Sequence, residues 1–274
     1  MPRKRREPNA EAIFKAFDAK ARRFESIATS TSKPALRKTI NLQTRDALFT
    51  SSFLSVHTAF ESFLEDLFYS AVLGDSGITD CVPFTKFESR ENAERVFMGG
   101  KAYLDWLPYD RHSQKISKLA FAEGIPFSRL DRQPVEKKLL DDMSVLRNAI
   151  AHQSTQALTR ASGLTSNMRP RRRHVAGYLQ DKVQGDTRYS LLTTSMRSIA
   201  LALSAHDTYT ARRYLNPERA WAINSSPGIG KYECTICRKT NRLRSKKAEL
   251  PRCSDCRTAG RSQKEWRKIY EPAM

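Results

Sequence analysis

Residues 133–154 read QPVEKKLLDDMSVLRNAIAHQS. Pro134 suits the first turn of a helix, where its missing N–H costs nothing, and Val135, Leu139, Met143, Leu146 and Ile150 follow at i, i+4, i+8, i+11 and i+15. That spacing keeps all five on one helical face. Gln153, Ser154 and Thr155 leave the pattern, so the helix is expected to close at His152. Upstream, Phe53, Val56, Phe60, Phe63 and Leu67 form another stripe, with Leu64 and Phe68 beside it, in a helix-compatible run from Pro34 to Leu73. A first helix is expected from about Asn9 to Ala28, on Ile13, Phe14, Phe17, Ala21, Phe24 and Ile27. Downstream, Leu192, Met196, Ile199 and Leu203 share a face. Runs with the period of a strand are few, so the expected fold class is all-α, a bundle of about four or five helices. Residues 86–130 alternate short helical pieces with turns, and residues 155–186, polar and basic, are expected to be irregular.

The 274 residues suffice for one sizeable domain with a small appendage, or for two domains. Lys and Arg number 48 against 29 Asp and Glu, a net charge of +19. That excess is far larger than solubility requires and implies a polyanionic partner. Nucleic acid fits better than a membrane, because the charge is spread along the chain instead of lying on one amphipathic helix. The apolar stretches are interrupted well before the ~18 residues a span needs. The opening MPRKRREP leads into NAEAIFKAFDAKARR and not into the apolar core of a secretory leader. A cytoplasmic protein without membrane contact is expected.

Arg147, Asn148 and His152 stand at the close of the 133–154 stretch. On a regular helix Arg147 and His152 lie about 140° apart, whereas Asn148 and His152 are an i, i+4 pair on one side. Asn148 can therefore hold the imidazole in one orientation. An imidazole that moves protons near neutrality, beside a guanidinium that can grip phosphate, is a minimal toolkit for phosphodiester chemistry on RNA. The helix dipole alone also favours an Arg and a His in a last turn, so the spacing leaves both readings open.

The sequence RNAIAH at 147–152 resembles the arginine–histidine signature of the HEPN superfamily, in which a polar residue, often asparagine, follows the arginine. The surroundings agree. The motif lies late in the bundle, one more long helix follows, and the upstream helix carries TAFESFLEDLF, whose Phe60–Glu61 resembles the aromatic–Glu element of a prokaryotic HEPN ribonuclease group, RiboL-PSP-HEPN-like. The likeness covers roughly residues 34–215, with no alignable motif in 86–130. It implies a homodimer whose motif helices form a composite cleft, and cleavage of RNA by its own 2′-hydroxyl without a metal. In that scheme His152 moves the proton, Arg147 stabilises charge on the phosphoryl oxygens, Asn148 orients His152 or touches phosphate, and Glu61 orders the arginine. The family context suggests a prokaryotic defence or toxin role, with an antitoxin or defence-system partner. A catalytically silent HEPN scaffold whose ribbon binds nucleic acid is the alternative.

Cys234, Cys237, Cys253 and Cys256 form two CxxC pairs separated by residues 238–252. Each pair can offer two thiolates from a tight turn, and together they complete a closed tetrahedral site. A structural Zn2+ in a C-terminal zinc ribbon is expected, with the metal supplying most of the segment's folding free energy. Cys81 is left over as a lone thiol. Arg238, Lys239, Arg242, Arg244, Lys246 and Lys247 between the knuckles, opposed by Glu249, are expected to neutralise phosphates of RNA, or of DNA, with Trp266 and Tyr270 stacking on bases. Arg171, Arg172 and Arg173 of RPRRRH form a second basic cluster that could feed RNA towards Arg147. His57 and His206 read as packed histidines, and SSPGIGKY fails as a phosphate loop because Ser225 stands where the first glycine belongs.

The expected organisation is a basic N-terminal arm and helix at 1–33, a HEPN-like helical domain at 34–216, a linker at 217–232, the zinc ribbon at 233–257 and a basic tail at 258–274.

Overall fold

The computed structural model describes residues 7–31, 36, 39–131, 133–166, 168, 170, 173–183, 186–215, 220–222, 224, 230–234, 239–245, 248–260 and 265–269. It divides into two units, Met1–Arg212 and Arg213–Met274.

In the first unit, helices begin where short polar side chains can cap them. Asn9 Oδ1 accepts from the Ala12 amide at 2.9 Å and opens α1, Ala10–Ser30. Asn41 Oδ1 does the same for α2, Leu42–Val72, through the Thr44 amide at 2.8 Å. Such a cap satisfies amides that have no partner inside the helix and is worth about 1 kcal/mol. Every residue of the Phe53 stripe on α2 is buried, as are Leu64 and Phe68. α1 packs along α2 as part of the same unit, with the Phe17 ring 5.5 Å from those of Phe60 and Phe63. Pro34, expected to open the second helix, lies outside the described residues.

Residues 86–130 fold around the C-terminal end of α2. The Phe68 ring lies 4.9 Å from Phe97, 5.3 Å from Trp106, 5.6 Å from Phe121 and 6.4 Å from Phe127. Phe97 lies on the short helix α3 (Arg90–Met98) and Phe127 opens a 3-10 turn, while Trp106 sits in the loop before α4 (Ser113–Ala120) and Phe121 directly follows that helix. Arg129, with 1% of its side chain exposed, spans this region and the end of a later helix.

The stretch 134–152 forms α5, Pro134–His152. Met143 and Leu146 of the expected stripe are buried, together with Leu140, Ser144 and Ala149, whereas Val135, Leu139 and Ile150 are half-buried. The buried arc is wider than one stripe because α5 packs against α2 and also against α8, Arg188–Leu203, whose Leu192, Met196, Ile199 and Leu203 are all buried. The following segment is not irregular throughout. It holds α6 (Thr155–Thr165) and α7 (Val175–Gln180), then a two-residue antiparallel ladder, β1 (Lys182–Val183) with β2 (Asp186–Thr187). α6 buries only Ala161 and Thr165, so its sequence carries almost no apolar periodicity. Its start is set by Ser154 Oγ, which accepts from the Ala157 amide at 3.3 Å. The final helix of this run, α9 (Thr208–Tyr214), is separated from α8 by a turn. Among the described residues no helix is long and apolar enough to cross a membrane.

The second unit is an antiparallel four-stranded sheet in the order β3 (Ala220–Ala222), β6 (Glu265–Ile269), β4 (Gly230–Cys234), β5 (Thr240–Leu243), with the short α10 (Ser254–Thr258). Strands thus occupy part of the stretches expected as linker and tail. Tyr232, Leu243, Leu250 and Trp266 make a small apolar core with three cysteines.

Candidate functional site

His152 is the last residue of α5 because Gln153 turns the chain into the left-handed region, at φ +47° and ψ +20°. Ser154 then caps α6, so two helices meet at a corner with the imidazole on it. Arg147 Nη1 lies 3.0 Å from His152 Nε2 and donates to Asn148 Oδ1 at 3.1 Å. A guanidinium can only donate, so in this contact Nε2 is the acceptor and the ring proton sits on Nδ1. The sequence reading paired Asn148 directly with His152. The structure instead has the long Arg147 side chain curl over the last turn and bridge the two. Asn148 and His152 are exposed and Arg147 is half-exposed.

Beside them opens a cavity of about 250 Å3, lined among others by Asn148, His152, Ser154, Gln156 and Arg160. Arg160 and Gln156 were not singled out in the sequence, since the segment that carries them was expected to be irregular. A second cavity, of about 930 Å3, has the opposite character: Glu7, Asp66, Asp75, Glu88 and Glu91 wall it around Arg90. Burial lowers the proton affinity of Arg90, but Glu94 and Asp66 outweigh this and hold its pKa above the ordinary value. Such walls repel a polyanion.

Glu61 stands apart from the arginine. Its Oε2 lies 3.3 Å from Nδ1 of His57, one turn earlier on α2, and no ion pair joins it to Arg147. His57 is buried, as expected, and among the described residues neither ring nitrogen has a properly aligned hydrogen-bond partner, so the Glu61 contact is one of proximity alone. His206 is not packed: its side chain is 64% exposed and meets Asp207 at 2.8 Å. Cys81 is half-buried, its Sγ 3.2 Å from the Ile125 carbonyl, and burial pushes the thiol up to about 12, which removes it as a nucleophile.

In the second unit Cys234 ends β4, while Cys253 and Cys256 flank and enter α10. The three are buried and their sulfurs lie within 4.8 Å of one another, with Cys234 Sγ 3.5 Å from Cys256 Sγ. A disulfide would need about 2.05 Å, whereas thiolates around one ion at ~2.3 Å sit near the spacing found here. The donor set fits a thiolate-bound metal. Cys237 lies outside the described residues, as do Arg171, Arg172, Arg238, Lys246, Lys247 and Tyr270. Arg173 Nε donates to the Met168 carbonyl at 2.9 Å. Arg242 and Arg244 are exposed. Lys239 is held by Asp255 at 2.6 Å and Ser254 at 2.9 Å, so an acid beyond the cysteine pair opposes the basic run. Trp266 is unsuited to stacking on bases, because it is 2% exposed and donates Nε1 to the Pro251 carbonyl. It serves the core.

No protein-family model matches the chain, and no curated protein or solved structure matches it.

Proposed function

We propose that the chain is a metal-independent endoribonuclease of HEPN type, active as a homodimer, with a C-terminal zinc ribbon that helps hold RNA. The observation that carries this reading is the 3.0 Å contact between the Arg147 guanidinium and the His152 imidazole at an exposed helix end. Nε2 in its acceptor form is the state a general base needs. When substrate enters, the phosphoryl oxygens take over the Arg147 fork, and Nε2 is freed for the 2′-hydroxyl. The 2′-oxygen gives its proton to one imidazole and bonds to phosphorus. The bond from phosphorus to the 5′-oxygen breaks, and that oxygen receives a proton from the second imidazole of the dimer, which enters the step as an imidazolium, protonated on both nitrogens and released from its own Arg147 contact. The products are a 2′,3′-cyclic phosphate and a 5′-hydroxyl. Arg147 stabilises the charge that builds between these two events.

The half-buried Val135, Leu139 and Ile150 on α5 suit a surface that a second copy covers. The cysteines are expected to hold Zn2+, which supplies structure and no open position for a catalytic water. A role in prokaryotic defence or as a toxin accords with this chemistry. Incubation of the full chain with labelled RNA in EDTA tests the enzyme: the native protein cleaves and His152→Ala does not. Equal cleavage by both removes the assignment, and cleavage by neither supports the silent scaffold.

A further inference from the structure

The corner between α5 and α6 holds a cation that the catalytic pair does not use. Arg160 lies in the second turn of α6, is exposed, and makes no hydrogen bond or ion pair among the described residues. Other guanidiniums of the helical unit are held in place, Arg90 by four carboxylates, Arg129 by Asp80 and three carbonyls, and Arg197 by Asp18. Arg160 instead lines the 250 Å3 recess that also contains His152. Among the described residues no carboxylate lines it. Asn148, Ser154 and Gln156 add uncharged donors and acceptors.

A planar guanidinium left open in a recess without acids is matched by two oxygens of one phosphate. The neighbouring amides and hydroxyl suit the hydroxyls of a sugar or the edge of a base. The recess is smaller than the ~300 Å3 at which drug-sized pockets begin. Its volume suits one splayed nucleotide, and splayed nucleotides are how single strands present themselves to proteins. The geometry points to a second phosphate subsite in this recess, for the nucleotide next to the scissile bond of single-stranded RNA, with Arg160 as its cation. This assignment rests on the ribonuclease reading for its position relative to the scissile bond.

The test is separate from cleavage. The chain has five histidines, so the full-length protein labelled at histidine Cε1 gives few signals, and His152→Gln identifies the one that matters. Uridine 3′-monophosphate is titrated against the native protein, Arg160→Gln and Arg160→Lys, with inorganic phosphate as a parallel arm. The subsite predicts a saturable shift of the His152 signal, weakened roughly tenfold or more in Arg160→Gln and partly restored in Arg160→Lys. Inorganic phosphate should bind more weakly than the nucleotide. No saturable shift, equal affinity in Arg160→Gln, or equal affinity for phosphate alone overturns the subsite. If the shift is absent while the native protein still cleaves RNA, the subsite falls and the ribonuclease stands. If the shift is present in a protein that cleaves no RNA, the subsite stands and the ribonuclease falls.

Discussion

Arg129 shows how one side chain can hold several elements together. Its Nη1 donates to the carbonyls of Ala202, Leu203 and Ala205 at 3.0, 3.0 and 2.7 Å, at and just beyond the end of α8, and Nη2 meets Asp80 at 2.8 Å. Arg129→Met is expected to lower stability by about 3–5 kcal/mol, because it leaves buried carbonyls and a carboxylate without their donor; chemical denaturation of the two proteins checks this. Asp80 gives the matching pH dependence. Burial pushes its carboxyl up, but the Thr208 hydrogen bonds and the Arg129 guanidinium more than offset this, and its pKa ends below the ordinary value. A folded-state pKa below the unfolded one stabilises in full above about pH 4 and is lost as pH falls through the lowered value. Asp80→Asn should therefore flatten the acid limb of the native protein's stability profile. Glu61 is a third case at this scale. Paired with His57 and not with Arg147, it is expected to tolerate Glu61→Gln with cleavage within about threefold of native, while His152→Ala loses roughly 10²–10⁴-fold. A common RNA-cleavage assay compares both.

The corner joining α5 to α6 is the element that makes the site. Gln153 accepts a left-handed conformation that costs a non-glycine residue roughly 1–2 kcal/mol, and Ser154 contributes the cap that starts the next helix. Ser154→Ala should cost about 1 kcal/mol of stability and should lower cleavage beyond that, since the corner carries His152 and the recess together; melting curves and turnover separate the two effects. The end of α5 was legible because Gln153, Ser154 and Thr155 break an apolar repeat, and the core of α2 because seven apolar residues follow a period of 3.6. α6 was not legible, since a helix that buries only Ala161 and Thr165 prints no stripe in its sequence. Residues 86–130 were illegible for another reason: they are organised by aromatic packing on Phe68 across large sequence separations, which no local period records. The role of Trp266 was misread because aromatic residues beside basic ones look alike whether they face bases or a small core.

At the scale of the molecule, a net charge of +19 should make the affinity for the proposed RNA substrate fall steeply with salt, which a salt titration of binding checks. The second unit is too small to rely on Tyr232, Leu243, Leu250 and Trp266 alone. Removal of metal by a strong chelator under reducing conditions is expected to unfold residues 220–274 while α1 to α8 keep their hydrogen-exchange protection, and Cys256→Ser should do the same. The central claim, that RNA is cut by its own 2′-hydroxyl at the Arg147–His152 pair, is tested most directly by one oligonucleotide made in two forms. One is all ribose, and the other carries a single 2′-deoxy nucleotide at the mapped cleavage point. Both are incubated in EDTA with the native chain. The account predicts cleavage of the first to a 2′,3′-cyclic phosphate and a 5′-hydroxyl, and no cleavage of the second at that point. Equal cleavage of both would contradict it.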